Sequence, residues 1–310
     1  MLKSRMVKVF ILVVALFLVS FCPLVTIEVI ADHYPYYKSE KGLSVRSSFY
    51  TTYSSSSSER KSNIKLATRS LNNFFLDVGE EFSFNKTVGE RTEKRGYKTS
   101  KIIFNGKFIE GIGGGVCQVS STLYNAVILA GLLITECHPH SLPVSYVSPS
   151  FDAMVNSGTA DLRFINNTSN PIIINAIATD ERVKIIIYGE QMEEKILTES
   201  LITAEIEAPR EQQIEDEKGE YPDLFEGEKR VITYSKKGLK SKGYVIKYRE
   251  GKIIEKIKIR EDKYSAMQGI IVLGKAKRQE ERQVEEENIK LTNQNLINTR
   301  KYFDKIVKLC

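Results

Sequence analysis

The chain has 310 residues, 45 Lys plus Arg against 39 Asp plus Glu, 42% hydrophobic side chains, four Cys, three His and no Trp. Charged residues at 27% and aromatics at 9% are ordinary for a globular protein, which excludes wholesale disorder, a collagen-like repeat and a disulfide-dense mini-protein. The formal net charge of +6 sits mostly at the two ends, so residues 32–274 are nearly neutral and lack the concentrated basic face of a nucleic-acid binder.

Lys3, Arg5 and Lys8 precede an apolar run from Val9 to Val25. A basic start, an apolar middle and a polar exit read as an export segment over residues 1–31. The run is longer than most cleaved signals and near the lower limit of about 17 residues for spanning a bilayer. We read it as an uncleaved membrane anchor with the remaining chain outside, and Val29-Ile30-Ala31 as the cleavage site of the alternative, a secreted form. Residues 32–62, with five Tyr and the run Ser54 to Ser58, read as a spacer.

Apolar positions from Ile64 to Phe75 recur at three and four residues, which predicts a short amphipathic helix. Asn105-Gly106 between Lys101–Phe104 and Lys107–Glu110 predicts a hairpin. Gly113-Gly114-Gly115 then leads into a helix-period run, Val116, Val119, Leu123, Val127 and Ala130, which Gly131 is placed to stop. Strands are expected at Leu142–Val147, Asp161–Ile165, Ile172–Ile177 and Val183–Tyr188. The predicted fold class is α+β: a Cys-bearing helix packed on a mainly antiparallel sheet over residues 63–190, then a small all-β module at 202–274 and a charged helical or disordered tail at 275–310. Polar residues 191–201 mark the expected boundary.

Cys117 falls at or near the first helical turn, behind three glycines. Amides at a helix start favour an anion and lower a thiol's pKa, and glycines let the backbone approach a ligand, so Cys117 is a candidate nucleophile and the amides of Cys117 and Gln118 candidate oxyanion donors. His138-Pro139-His140 supplies candidate bases, His140 being preferred as the one beside the expected strand, and Asp152 or Asp161 is a candidate to orient the ring. Gly113, Gly114, Gly115, Gln118, Ser120, Ser121 and Tyr146 are expected to line the substrate or oxyanion site. Four plainer readings stand beside this one: a buried structural thiol, a Cys117–Cys137 disulfide, a zinc site of Cys117, Cys137, His138 and His140, and a phosphate cradle. The ligand spacing is poor for zinc and the loop lacks a P-loop lysine, so no metal or cofactor is expected.

The segments Gly79-Glu80-Glu81-Phe82-Ser83-Phe84-Asn85, Val88-Gly89-Glu90-Arg91-Thr92, Gly113 through Ala126, His138-Pro139-His140-Ser141-Leu142-Pro143-Val144-Ser145-Tyr146-Val147 and Asp161-Leu162-Arg163-Phe164 resemble the VanW family, named after an accessory protein of vancomycin-resistance clusters. The family often has Pro where this chain has Val78, and Arg where it has Cys137. The resemblance implies a cell-wall role and, through members taken as peptidoglycan L,D-transpeptidases, a family cysteine that acylates on a stem peptide and passes the acyl group to an acceptor amine. The partners so implied are peptidoglycan stem peptides, with the cytoplasmic membrane holding the N-terminal segment and no nucleic acid. Two alternatives remain, a non-catalytic wall-binding or glycopeptide-resistance accessory protein and a cysteine peptidase acting on the same stem. Gly238, Tyr244, Tyr264 and Val272-Leu273-Gly274 resemble the G-five domains often fused to this family.

Overall fold

The computed structural model describes residues 43–104, 106–277, 283 and 286–297. The expected anchor and most of the expected tail lie outside them; residues 286–297 are helical. Among the described residues no helix is long and apolar enough to cross a membrane. The described residues divide into two units, one within 43–206 and 238–265, the other within 207–237 and 266–297.

The first unit is built on an antiparallel four-stranded sheet with the order β1 (Ser44–Thr52), β9 (Arg182–Gly189), β8 (Ile172–Ala178) and β2 (Phe74–Leu76). In β9 the buried residues Val183, Ile185 and Ile187 alternate with Lys184, Ile186 and Tyr188, the period-two signature of a strand covered on one face. That face is covered by α1 (Ser58–Leu71), through Ile64, Ala67 and Leu71, and by α3 (Val116–Leu129), through Val119, Leu123, Ala126 and Val127. Ser47 donates from β1 to the Ala126 carbonyl at 2.6 Å and the Thr51 and Thr122 hydroxyls pair at 2.8 Å, so polar groups facing the core are matched.

The spacer expected at 32–62 therefore holds β1 and the first residues of α1, whose N-cap is Ser57 accepting from the Arg60 amide. Its Ser and Tyr content hid a strand because only every second residue of β1 turns inward. The predicted hairpin forms as β4 (Thr99–Phe104) and β5 (Lys107–Ile112). A smaller sheet, β3 (Glu81–Ser83), β7 (Arg163–Ile165) and β6 (Leu133–Glu136), and the five-residue helix α2 (Phe84–Val88) complete this part.

Helix α3 stops where predicted. Gly131 sits at φ +69°, its N–H bonds the Ile128 carbonyl, and the Leu132 N–H bonds Val127, the paired reverse bonds of a Schellman cap. No strand forms at Leu142–Val147: after Pro139 the chain runs irregularly through Pro143 and Pro149, two residues that cannot donate to a ladder.

The expected 202–274 module is divided. Residues 195–201, read as a polar boundary, begin the long strand β10 (Lys195–Ile206), which pairs with β13 (Gly238–Arg249), itself paired with β14 (Lys252–Tyr264). This twisted ribbon belongs to the first unit. Its outer strands β10 and β14 are largely solvent-facing, and the polar start of β10 therefore read as a boundary, while the β-rich runs from 202 on were expected. The second unit holds β11 (Gln212–Glu215), parallel to β15 (Ile270–Leu273), with β12 (Lys229–Thr233) antiparallel on the other side, around a small core of Leu224, Met267, Ile271 and Val272. A Cβ on Gly274 would overlap the Leu224 and Phe225 carbonyls, which accounts for a glycine closing β15.

Candidate functional site

Helix α3 is buried along nearly its whole length, and within it only Cys117 and Leu129 keep partial exposure. Cys117 lies in the first turn, as the spacing predicted. The glycines ahead of it meet protein, not open space. A Cβ on Gly114 would stand 2.7 Å from the Lys101 carbonyl, and Gly115, at φ +108°, packs on Arg60 and Ile64. Gly113, Gly114 and Gly115 are buried and let the loop pass β4 and α1, which corrects the expectation that they approach a ligand.

The polar positions of α3 hold a returning segment of chain. Asn125 donates to the Phe151 carbonyl at 2.7 Å, Ser121 accepts from the Ala153 amide at 2.9 Å, Ser120 donates to the Ala153 carbonyl at 2.6 Å, and the Cys117 thiol reaches the Val155 carbonyl at 3.4 Å. Residues 151–155 thus run back along one face of α3, and each helix turn supplies one attachment. Ser120 and Ser121, expected to touch substrate, are spent on this attachment. Gln118 is likewise occupied, donating to Thr51 and Thr52 and accepting from Arg60, while its amide bonds the Gly115 carbonyl. Of the two expected oxyanion donors, the Gln118 N–H is therefore committed within the turn.

The returning segment carries Asp152 to His140. The carboxylate is fully buried; its Oδ2 accepts from the His140 amide at 2.7 Å and lies 2.6 Å from His140 Nδ1. With Nδ1 held there, Nε2 is the ring nitrogen left for the Cys117 thiol, whose titration it governs. Burial pushes the Cys117 thiol up, but hydrogen bonding to His140, the imidazolium charge, the Val155 contact and the Arg91 charge outweigh it and set the pKa below the ordinary value. Burial alone would lower His140; its bonds to Asp152 and Cys117 reverse this and raise it to about 9. Burial likewise opposes ionisation of Asp152, yet His140, Arg260 and Tyr264 bring it below the usual carboxylate value. The two shifts run in opposite directions, the thiol down and the imidazole up, and so move the coupled pair toward thiolate–imidazolium.

Tyr146, the expected site residue from the same loop, stands edge-on to the His140 ring with centroids 6.5 Å apart, and burial beside Cys117 raises its phenol. His138 turns the other way: its Nε2 lies 2.9 Å from Glu136 Oε1 at the surface. Asp161 accepts from the Ser83 hydroxyl at 2.5 Å and the Asn85 amide at 2.8 Å and pairs with Arg163, so it anchors α2 and leaves His140 to Asp152. The preference for His140 rested on a neighbouring strand that does not form; what fixes the ring is a double attachment to Asp152. Cys117 and Cys137 are both free thiols, and Cys137, half-buried and directed at the Asp152 carbonyl, is pushed up by desolvation to about 12.

Three residues near this chemistry were not expected in the site, Arg91 and Tyr264 having been noted only for their family resemblances. Arg91 bonds Asn85 at 2.6 Å, sits 5.7 Å above the Phe84 ring and adds positive charge near Cys117; Gly113 gives it room, because a Cβ there would stand 3.0 Å from Arg91 Cβ. Arg260 and Tyr264, on β14, approach Asp152 from more than 100 residues away, and no local pattern connects them to it.

Residues 59–188 match the family described as VanW like protein. The uncharacterized protein YoaR of Bacillus subtilis (strain 168) is 46% identical over 128 residues, covering 41% of this chain and 42% of that protein. The Vancomycin B-type resistance protein VanW of Enterococcus faecalis (strain ATCC 700802 / V583) is 31% identical over 126 residues, covering 39% of this chain and 46% of that one. The match thus spans less than half the length of either relative. Among solved structures, an IgA1 protease G5 domain covers 29% of this chain at 22% identity with a TM-score of 0.17. Residues 59–188, which hold Cys117, His140 and Asp152, are the part of the chain that is similar to VanW proteins.

Proposed function

We propose that the protein is a cysteine-dependent acyltransferase of the bacterial cell wall, an L,D-transpeptidase acting on peptidoglycan stem peptides outside the membrane. The observation that carries this reading is the run of contacts Cys117–His140–Asp152, with the thiol partly exposed and the His–Asp pair sealed from water. A nucleophile, a base in contact with it and a buried carboxylate orienting that base are the parts acyl transfer needs.

In this mechanism the Cys117 thiolate attacks the carbonyl after the third stem residue. The C–N bond breaks, the His140 imidazolium gives its proton to the departing amine of the terminal D-alanine, and a thioester remains on Cys117. An acceptor amine then attacks the thioester, loses a proton to His140, and the C–S bond breaks to return the thiolate. Arg91 and the amide of Cys117, at the positive end of α3, stabilise the negative charge that develops on the oxyanion. Residues 1–31 hold the enzyme at the membrane.

The test is mass spectrometry of disaccharide-peptides incubated with the purified protein and with its Cys117→Ala variant. Dimers joined through third residues, present with the parent and absent with the variant, are the expected result. Shortened monomers in place of dimers identify a peptidase. Unchanged substrate with both proteins, together with measurable binding, identifies a binding protein.

A further inference from the structure

We propose that Tyr264 and Arg260, on β14 and outside the family-matched residues 59–188, are positioning residues of the Cys117 site: they hold the buried Asp152 carboxylate ionised and in place, and through it set His140 against the thiol. The inference rests on Cys117 as the nucleophile, but its observable is the state of the thiol and not turnover.

Hydrogen-bond direction carries the argument. The Tyr264 hydroxyl accepts from the Ser150 amide at 2.7 Å, so its own proton points to Asp152 Oδ1, 2.5 Å away. Oδ2 already takes the His140 amide at 2.7 Å and faces Nδ1 at 2.6 Å. Both carboxylate oxygens thus receive donors, an arrangement that suits the ionised form and makes Nδ1 a donor too. That fixes the tautomer whose Nε2 can take the Cys117 proton.

Burial works against this state, because a carboxylate removed from water becomes protonated unless it is paired. Arg260 supplies the pairing. Its Nη2 lies 3.6 Å from Asp152 Oδ1, its Nη1 donates to the Asp152 carbonyl and contacts Cys137 Sγ at 3.3 Å, and its Nε lies 3.1 Å from Asp262. Tyr124 of α3 faces the guanidinium at 5.5 Å. The groups that set the charge balance around Asp152 and His140 are therefore Cys117 and Tyr124 from α3, Cys137 and Tyr146 from the connecting chain, and Arg260, Asp262 and Tyr264 from β14. The ribbon is seated by further contacts: Ser241 pairs with Ser150 at 2.7 Å, and a Cβ on Gly243 would stand 3.0 Å from Ser150 Cβ.

The experiment is the pH profile of Cys117 alkylation by iodoacetamide, read peptide by peptide by mass spectrometry, in the full chain and in Tyr264→Phe, Asp152→Asn and the double variant. Tyr264→Phe keeps the buried ring and removes one donor. The expected result is an inflection moved toward the ordinary thiol value of 9.0 and a rate at pH 6.5 lower by on the order of tenfold, the scale of one hydrogen bond to a charged group. The double variant should react no more slowly than Asp152→Asn alone, since Tyr264 acts through that carboxylate. Arg260→Gln, which leaves Tyr264 intact, should shift the profile in the same direction and covers the case of a Phe variant that does not fold. A Tyr264→Phe profile overlying the parent's, or losses that multiply in the double variant, overturns the proposal while leaving Cys117 as nucleophile. A parent protein whose Cys117 titrates as an ordinary thiol overturns both readings.

Discussion

Two histidines separated by one proline head two clusters of the same chemical parts. His140 meets Asp152 with side-chain exposures of 5% and 1%, whereas His138 meets Glu136 with 39% and 33%. Distances hardly separate them, at 2.6 Å and 2.9 Å. Environment does. In the first cluster the carboxylate is surrounded by donors and closed off from water, so the pair interacts in a weakly polarisable medium and sets the titration of a neighbouring thiol. In the second, Glu136 also serves the Asp161 amide and Arg163, solvent screens the charges, and among the described residues no thiol contacts the His138 ring. An imidazole beside a carboxylate becomes chemistry only where burial and a third group require it.

The sharpest way to break this contrast is to remove the buried ring. His140→Ala should lower the rate of Cys117 acylation by on the order of 100-fold or more, the scale of losing a general base. Without His140, burial is the largest influence left on the thiol, so the alkylation inflection should rise to or above 9.0. A stopped-flow alkylation profile checks both the loss and the sign. Asp152→Asn is expected to cost about tenfold to 100-fold in the same assay, because it removes a hydrogen bond to a charged partner but leaves the ring in place.

Asp152 also links the site to acid stability. Its folded pKa is depressed below 3.8, so the stability it contributes is fully present above about pH 4 and is lost as pH falls through the folded value. Thermal melts of the parent should therefore fall more steeply below pH 4 than those of Asp152→Asn. Equal slopes would remove the claim that this carboxylate is ionised in the folded protein.

How much of this was legible follows from the range of the interactions. The start of α3 at Val116, its stop at Gly131 and the β4–β5 hairpin were readable because glycine placement and apolar spacing are local. Cys117 and His140 were readable as parts, and the family resemblance supplied a reason to join them. The choice of Asp152 over Asp161 was not readable: both follow the histidines within about 20 residues, and only the attachment of residues 151–155 to Ser120, Ser121 and Asn125 decides which one arrives. Ser120 and Ser121 looked like substrate ligands because their partner is a main chain more than 25 residues away. Residues 195–201 looked like a boundary because β10 exposes most of its length, and charged residues there satisfy solvent without revealing a strand. The contributions of Arg260 and Tyr264 depend on tertiary packing alone.

The smallest expected effect tests the other side of the comparison. His138→Ala removes the side-chain contact with Glu136 but keeps the backbone bridge, in which the His138 carbonyl accepts from the Met154 amide at 2.8 Å. Glu136 would lose the hydrogen bond that is the main cause of its lowered pKa, yet it retains Arg163 and the Asp161 amide. An exposed pair of this kind contributes about 0–1 kcal/mol, so the melting temperature should shift by only a few degrees and acylation by no more than about fivefold, given that 1.4 kcal/mol is needed for tenfold. A 100-fold loss in His138→Ala, with His140→Ala near the parent rate, would reverse the assignment of the base. It would also mean that solvent exposure does not separate the two clusters, because the ring with the weaker confinement would then be the one that moves the proton.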